Sequence, residues 1–300
     1  MPPGPSDVAR TFHPTPELPR HLATLYERFP FERSILEDPI SEIRPLAIDA
    51  RHGEVAAIYG ATLAIGNTTA IRGAIRQLSG RVGGDLAAAV ESLSRAERTV
   101  AWKGFYHRWI RGDQMVHLAE RLRVIYASYP SLESVFLEGM GEEGFAGGLD
   151  ALARALRGGR GAPRAPRGYA ILFPSPLDAH HSPAKRLTLY ARWMVRDRYP
   201  DLGQWRHVPT GELRIPLDQH VYWIAYHLGL TQRRTRSWAT VEEVTEALRR
   251  IDPIDPIRFD FVLCHTGISG DCPKHRDLSI CGPCAVRPDC RLWSRTRSAS

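Results

Sequence analysis

Residues Cys272–Cys290 read CPKHRDLSICGPCAVRPDC and hold four of the chain's five cysteines. The spacing is C-x8-C-x2-C-x5-C, in a polar loop with three prolines where a free thiol has little to pack against, so the four are read as ligands. Disulfides are disfavoured in a chain expected to stay in a reducing compartment. A structural zinc site often uses two separated C-x2-C pairs, and only one is present. An iron-sulfur cluster also takes four thiolates and tolerates uneven spacing. Spacing alone leaves zinc and iron-sulfur open. Cys264, in the apolar run FVLC, is read as a buried bystander.

Outward from this loop, the chain has 300 residues, 43% hydrophobic and 24% charged, enough for one large domain or two modest ones. No stretch of about eighteen apolar residues occurs, which argues against a transmembrane helix. The start MPPGPSDVARTFHPTPELPR lacks a secretory pattern, so a cytoplasmic monomer is expected. The net charge of +7, carried mostly by arginine, suits a phosphate-bearing partner without demanding one.

Residues 1–20 are proline-rich and expected to be a flexible arm. From residue 21 onward LATLYERF, EVAAIYGATLAIG and AIRGAIRQL carry apolar residues at helical spacing. A second helical block is expected from Ala101 to Leu156, followed by a basic Gly/Pro-rich linker at 157–168, read as an exposed connection with a phosphate clamp as the alternative. PAKRLTLYARWMVR, QHVYWIAYHLGL and TVEEVTEALRRI give three further helices. Leu187, Tyr190, Ala191 and Met194 share one face of the first, and Thr240 with Glu243 forms a capping-box pattern in the last. Period-two strands are scarce, so the fold class is all-α. The glycosylase-like helical body is placed at 21–270, the cysteine loop at 271–293 and a flexible tail at 294–300.

IPLDQHVYWIAYHLGL, an acidic helix, FDFVLCHTGISGDC and then the cysteine loop together resemble the C-terminal half of endonuclease III, in the helix-hairpin-helix DNA glycosylase superfamily. The resemblance covers residues 213–293. It implies a two-lobed helical fold and a 4Fe-4S cluster on Cys272, Cys281, Cys284 and Cys290, with zinc as the alternative. The family's first interval is C-x6-C, two residues shorter than here, which makes Cys272 the departure. The rest of the chain is similar to a bacterial branch of the superfamily carrying GATLA-x-GN, SPAKRL-x-L-x-x-RWMVR and IPLD-x-H blocks. They stand here as GATLAIGN, SPAKRLTLYARWMVR and IPLDQH.

The resemblance further implies a DNA base-excision repair glycosylase with AP-lyase activity on a damaged or modified base. A glycosylase must extrude a base to reach its bond to the sugar. Asp218 in IPLDQH matches the aspartate that stabilises the developing sugar cation, and it is also placed to cap the helix from Gln219. Lys185 in SPAKRL matches the lysine that attacks the sugar and forms a Schiff base; on its own it would be read as a solvated surface charge. The family's L-P-G-x-G hairpin, which binds phosphate through backbone amides, is absent. DAHHSPAKR stands in its place, so His181, Ser182 and Arg186 are the expected phosphate contacts, with the helix N-terminus after Ser182-Pro183. The pair His180-His181 could suggest a metal, but lacks a third ligand. In AIGNTT, Asn67 is the expected wedge into the base stack and Gly66 the point of close backbone approach. A Gly-Asn helix end explains the same residues. Of Trp102, Phe105, Tyr106 and Trp109, at most one is expected to touch a base, the others filling the core. The DNA is expected to be double-stranded, with single strands possible given the altered hairpin. The alternatives are a nucleic-acid-binding protein that kept the scaffold without the chemistry, and an enzyme of hypermodified bases.

Overall fold

The structure, a computed structural model, describes residues 13–158, 164–178 and 182–294. The helices that position the site are α1 (Leu18–Glu27), α2 (Ala50–Leu63), α3 (Thr68–Gly80), α4 (Gly112–Ser128), α5 (Leu132–Met140), α6 (Gly144–Arg157), α7 (Lys185–Val195), α8 (Gln219–His227), α9 (Trp238–Arg249) and α10 (Asp260–Ile268). Shorter helical turns join them, and among the described residues the sheet content is one two-stranded hairpin, so the chain is mostly helical as expected. Among the described residues no helix is long and apolar enough to cross a membrane.

Helix α2 is the central strut. Asp49 starts it by accepting from His52 N at 2.8 Å, and every residue from Gly53 to Leu63 is buried. A helix that is apolar or small all round has no face for water and is enclosed by its neighbours. It packs on α7, whose Leu187, Tyr190, Ala191 and Met194 are buried as the periodicity requires. Gly60 allows the approach of the chain beside it: a Cβ there would lie 2.4 Å from Ile43 Cδ1. Among the acidic residues buried in this core is Glu54, on α2 itself. The Glu54 carboxylate accepts from Leu132 N at 3.0 Å, Glu133 N at 3.1 Å, Trp205 Nε1 at 2.8 Å and Tyr126 Oη at 3.1 Å. The first two donors are the start of α5, where the helix dipole favours an anion. Burial pushes the Glu54 pKa up, and these donors oppose it.

Three expectations need correction. The block from Ala101 is interrupted by a hairpin, β1 (Tyr106–His107) and β2 (Ile110–Arg111), because His107 Nε2 contacts the carbonyls of Leu63 at 3.1 Å and Ile65 at 3.0 Å and holds the chain extended. Thr240 does not cap α9. That helix starts three residues earlier after Ser237, Thr240 Oγ1 donates to Thr235 O at 2.6 Å, and Glu243 instead accepts from Gln232 N at 3.0 Å. The end of the expected arm is ordered: α1 begins at Leu18, Thr15 Oγ1 donates to Asp289, and His21 Nδ1 lies 2.6 Å from the same carboxylate. Asp289 is fully buried in the cysteine loop, so α1 braces that loop.

Candidate active site and thiol cavity

Two tight turns bring the first candidates together. The turn between α2 and α3 needs Gly66 at φ +106°, where a Cβ would also fall 2.7 Å from the Arg108 guanidinium. Asn67 is exposed and begins α3, its side-chain oxygen accepting from Ala70 N at 2.8 Å. It is therefore a helix start rather than a helix end. The second turn precedes α7. Ser182 Oγ accepts from Ala184 N at 3.2 Å, and Ala184 is buried in the left-handed region at φ 46°, ψ 32°. A non-glycine residue held there is strained, a feature found where geometry serves function. The next residue is Lys185, whose Nζ donates to Ala64 O at 3.3 Å, across to the end of α2.

Asp218 caps α8. Its Oδ1 accepts from Val221 N at 2.8 Å, and its Oδ2 lies 3.4 Å from Cys264 Sγ, which donates to it from α10. Cys264 is thus no bystander: it faces the aspartate. Burial, with the Asp218 charge adding, pushes its thiol pKa far up, so it stays a neutral donor. Gly267 lets α10 lie against α8, since a Cβ there would be 2.6 Å from His220 Cβ.

A cavity of about 240 Å³ opens among these elements, lined by Lys185, Asp218, Gly66 and Asn67. A more open cleft adjoins it, sharing Lys185, Asp218 and Gly66 and adding Ser182, Arg186 and Arg236. Arg186 is already engaged: it donates to Leu172 O at 2.9 Å and to Ile171 O, and burial lowers its pKa to about 10. His180 and His181 lie outside the described residues, as do linker residues 159–163. Of the aromatic group, Trp102 and Phe105 are core, whereas Tyr106 and Trp109 are 65% and 38% exposed on the hairpin. Between these two sits Arg108, at φ 58°, over Gly66.

The cavity wall holds charges that sequence reasoning missed. His265 Nε2 lies 2.9 Å from Asp38 Oδ2, and the His265 ring stacks on Phe261 at 4.2 Å. Behind them, Arg192 reaches Asp260 at 2.6 Å and Asp201 at 3.2 Å, while Arg196 reaches Asp201 at 3.1 Å and Asp255 at 2.8 Å. Burial alone would lower the Arg192 pKa, but the charges of Asp201 and Asp260 outweigh it and hold it above its ordinary value. The spacing of Arg192 and Arg196 puts them on one helix face, but nothing local announces that this face is buried.

The four remaining cysteines line a second cavity with Leu25, Ile224, Leu228 and Val286. The loop is held by backbone bonds from Cys272 N to Thr266 O (3.1 Å), Cys284 N to Cys281 O (3.2 Å) and Cys290 N to Arg287 O (3.1 Å). Burial pushes the Cys272 and Cys284 thiols up, and Cys290 up to about 11. Among the described residues no group of three or more His, Cys, Asp and Glu side chains is arranged to hold a metal ion.

No curated protein and no solved structure matches the chain. One family model, described as a protein of unknown function (DUF2400), matches residues 38–269. That span encloses every residue lining the 240 Å³ cavity, from Asp38 to Ile268, and leaves the four-cysteine loop outside it. The match covers well over half of the sequence, and the chain therefore belongs to the DUF2400 family.

Proposed function

We propose that this protein is a DNA glycosylase with AP-lyase activity, on a two-lobed helix-hairpin-helix scaffold like that of endonuclease III. The observation that carries the reading is one cavity lined by an amine and a carboxylate, Lys185 and Asp218, thirty-three residues apart in sequence. Of forty basic residues only three are lysines: Lys103, Lys185 and Lys274. A guanidinium stays protonated at any working pH and cannot attack carbon, whereas an amine can. One of those three amines lines the cavity with Asp218.

In this reading Lys185 Nζ attacks C1′ of an extruded nucleotide. Asp218, on the same cavity wall, stabilises the positive charge that grows on the sugar as the base departs. Asn67, which lines the cavity, and Arg108, which lies against Gly66, would fill the space left in the stack. Arg236, in the adjoining cleft, is better placed than Arg186 to meet phosphate, because Arg186 already uses Nε and Nη2 on the carbonyls of Leu172 and Ile171. A duplex with a single abasic site tests the reaction: the wild type is expected to cleave the strand by elimination and Lys185→Ala is not. A wild type inert on that duplex and on a panel of oxidised, deaminated and alkylated bases contradicts the proposal.

The proposal includes a 4Fe-4S cluster held by Cys272, Cys281, Cys284 and Cys290. Four cysteines, one buried and three half-buried, lining one apolar cavity are a thiolate set of the kind a cubane takes, with zinc as the alternative. Bound there, the cluster would supply a crosslink and a redox centre. The chain's own part is to supply the four sulfurs and to fasten their loop to α1 through Asp289. Protein purified without oxygen is expected to contain iron and sulfide in equal amounts and to absorb broadly at the violet edge of the visible, with both lost in Cys290→Ser. Stoichiometric zinc without iron contradicts it.

A further inference from the structure

The ion network behind the cavity has an odd charge. Arg192 and Arg196 face Asp201, Asp255 and Asp260, two cations against three carboxylates, with every side chain 14% exposed or less. One buried negative charge is left without a counter-ion, a costly arrangement unless a proton or a donor arrives. Asp201 is held by both arginines. Asp255 lies at the outer end, beside Arg196 in a surface cleft. Asp260 alone of the three lines the cavity shared by Lys185 and Asp218. Its Oδ2 takes Arg192 at 2.6 Å, and its Oδ1, like those of Asp201 and Asp255, is buried with no hydrogen-bond partner.

We infer that Asp260 is the acid that protonates the departing base, an inference that rests on the glycosylase reading above. Lys185 Nζ forms a bond to C1′, the bond from C1′ to the base nitrogen breaks, and its electron pair leaves with the base. The proton on Asp260 Oδ1 passes to that base, and the carboxylate left behind is held by Arg192. Two carboxylates then share one cavity in opposite protonation states, the pattern by which paired acids divide their roles. The groups facing Asp260 agree with this. Burial pushes it up to about 6; Arg192 opposes, while Asp218 and Asp201 add to the rise. Asp38 and His265 are paired with each other on the same wall. Asp218, in contrast, has both carboxylate oxygens engaged, accepting from Val221 N and from Cys264 Sγ.

The test compares wild type and Asp260→Asn on two kinds of duplex, one with a single abasic site and a panel each bearing one oxidised, deaminated or alkylated base. The abasic sugar has no base left to protonate. The ratio of base excision to borohydride trapping of the abasic site is therefore expected to fall by about 10²-fold or more in Asp260→Asn. Wild-type excision should decline as pH rises past about 6, and the variant should lose that limb. Trapping also reports whether the variant is folded. The inference is overturned if both reactions fall together, if the ratio is unchanged, or if a wild type that traps the abasic sugar excises no base of the panel. A wild type that neither traps nor excises overturns the glycosylase reading itself.

Discussion

Asp218→Asn is expected to slow base excision by about 10²–10³-fold, the loss typical when one preorganised group is removed from a developing charge. The fold should barely notice. Asparagine caps helices as well as aspartate does, so its side-chain oxygen can still accept from Val221 N, and melting should shift by less than about 1 kcal/mol in stability. Asp218→Ala loses both functions, adding about 1 kcal/mol of destabilisation to the same kinetic loss. Single-turnover excision and thermal melts of the two variants separate the capping role from the electrostatic one. An Asn variant with wild-type excision rates would leave Asp218 as a cap and nothing more.

Arg192→Leu should be the most destabilising change near the site. It strips the counter-ion from Asp260 and one of the two from Asp201, whose side chains are 3% and 0% exposed. Removing one partner of a buried ion pair costs about 3–5 kcal/mol, because the charge left behind is neither solvated nor neutralised. The loss has a pH signature. Burial raises the pKa of both carboxylates, and without Arg192 they rise further. A group whose folded pKa is raised contributes stability that is present below its unfolded pKa and lost as pH rises through the folded value. The penalty should therefore shrink on acidification from pH 7 to about 5. Urea unfolding at the two pH values measures this, and a penalty independent of pH would mean that lost packing, not uncompensated charge, is the cause.

Much of the helical framework can be read locally. The apolar periodicity of Leu187, Tyr190, Ala191 and Met194 identifies the buried face of α7, and the apolar residues from Val55 to Ala61 mark α2 as a helix. The motif residues Lys185, Asp218, Gly66 and Asn67 reach one cavity. What stays hidden depends on distant partners. Arg192 looks solvated until Asp201 and Asp260 arrive from other segments. Cys264 looks like core until the cap of α8 is set against it. The hairpin at Tyr106–Arg111 is invisible because its register is fixed by His107 against carbonyls some forty residues earlier, and Thr240 yields the start of α9 to Ser237 for the same kind of non-local reason.

The central claim is that the amine at Lys185 attacks sugar in the cavity it shares with Asp218. Borohydride reduction of the protein on an abasic duplex, followed by peptide mass spectrometry, tests it directly, since only Lys103, Lys185, Lys274 and the N-terminal amine can carry the adduct. The account predicts the sugar remnant on Lys185 alone. A remnant on Lys103, on Lys274 or on the N-terminus, with Lys185 unmodified, would contradict it.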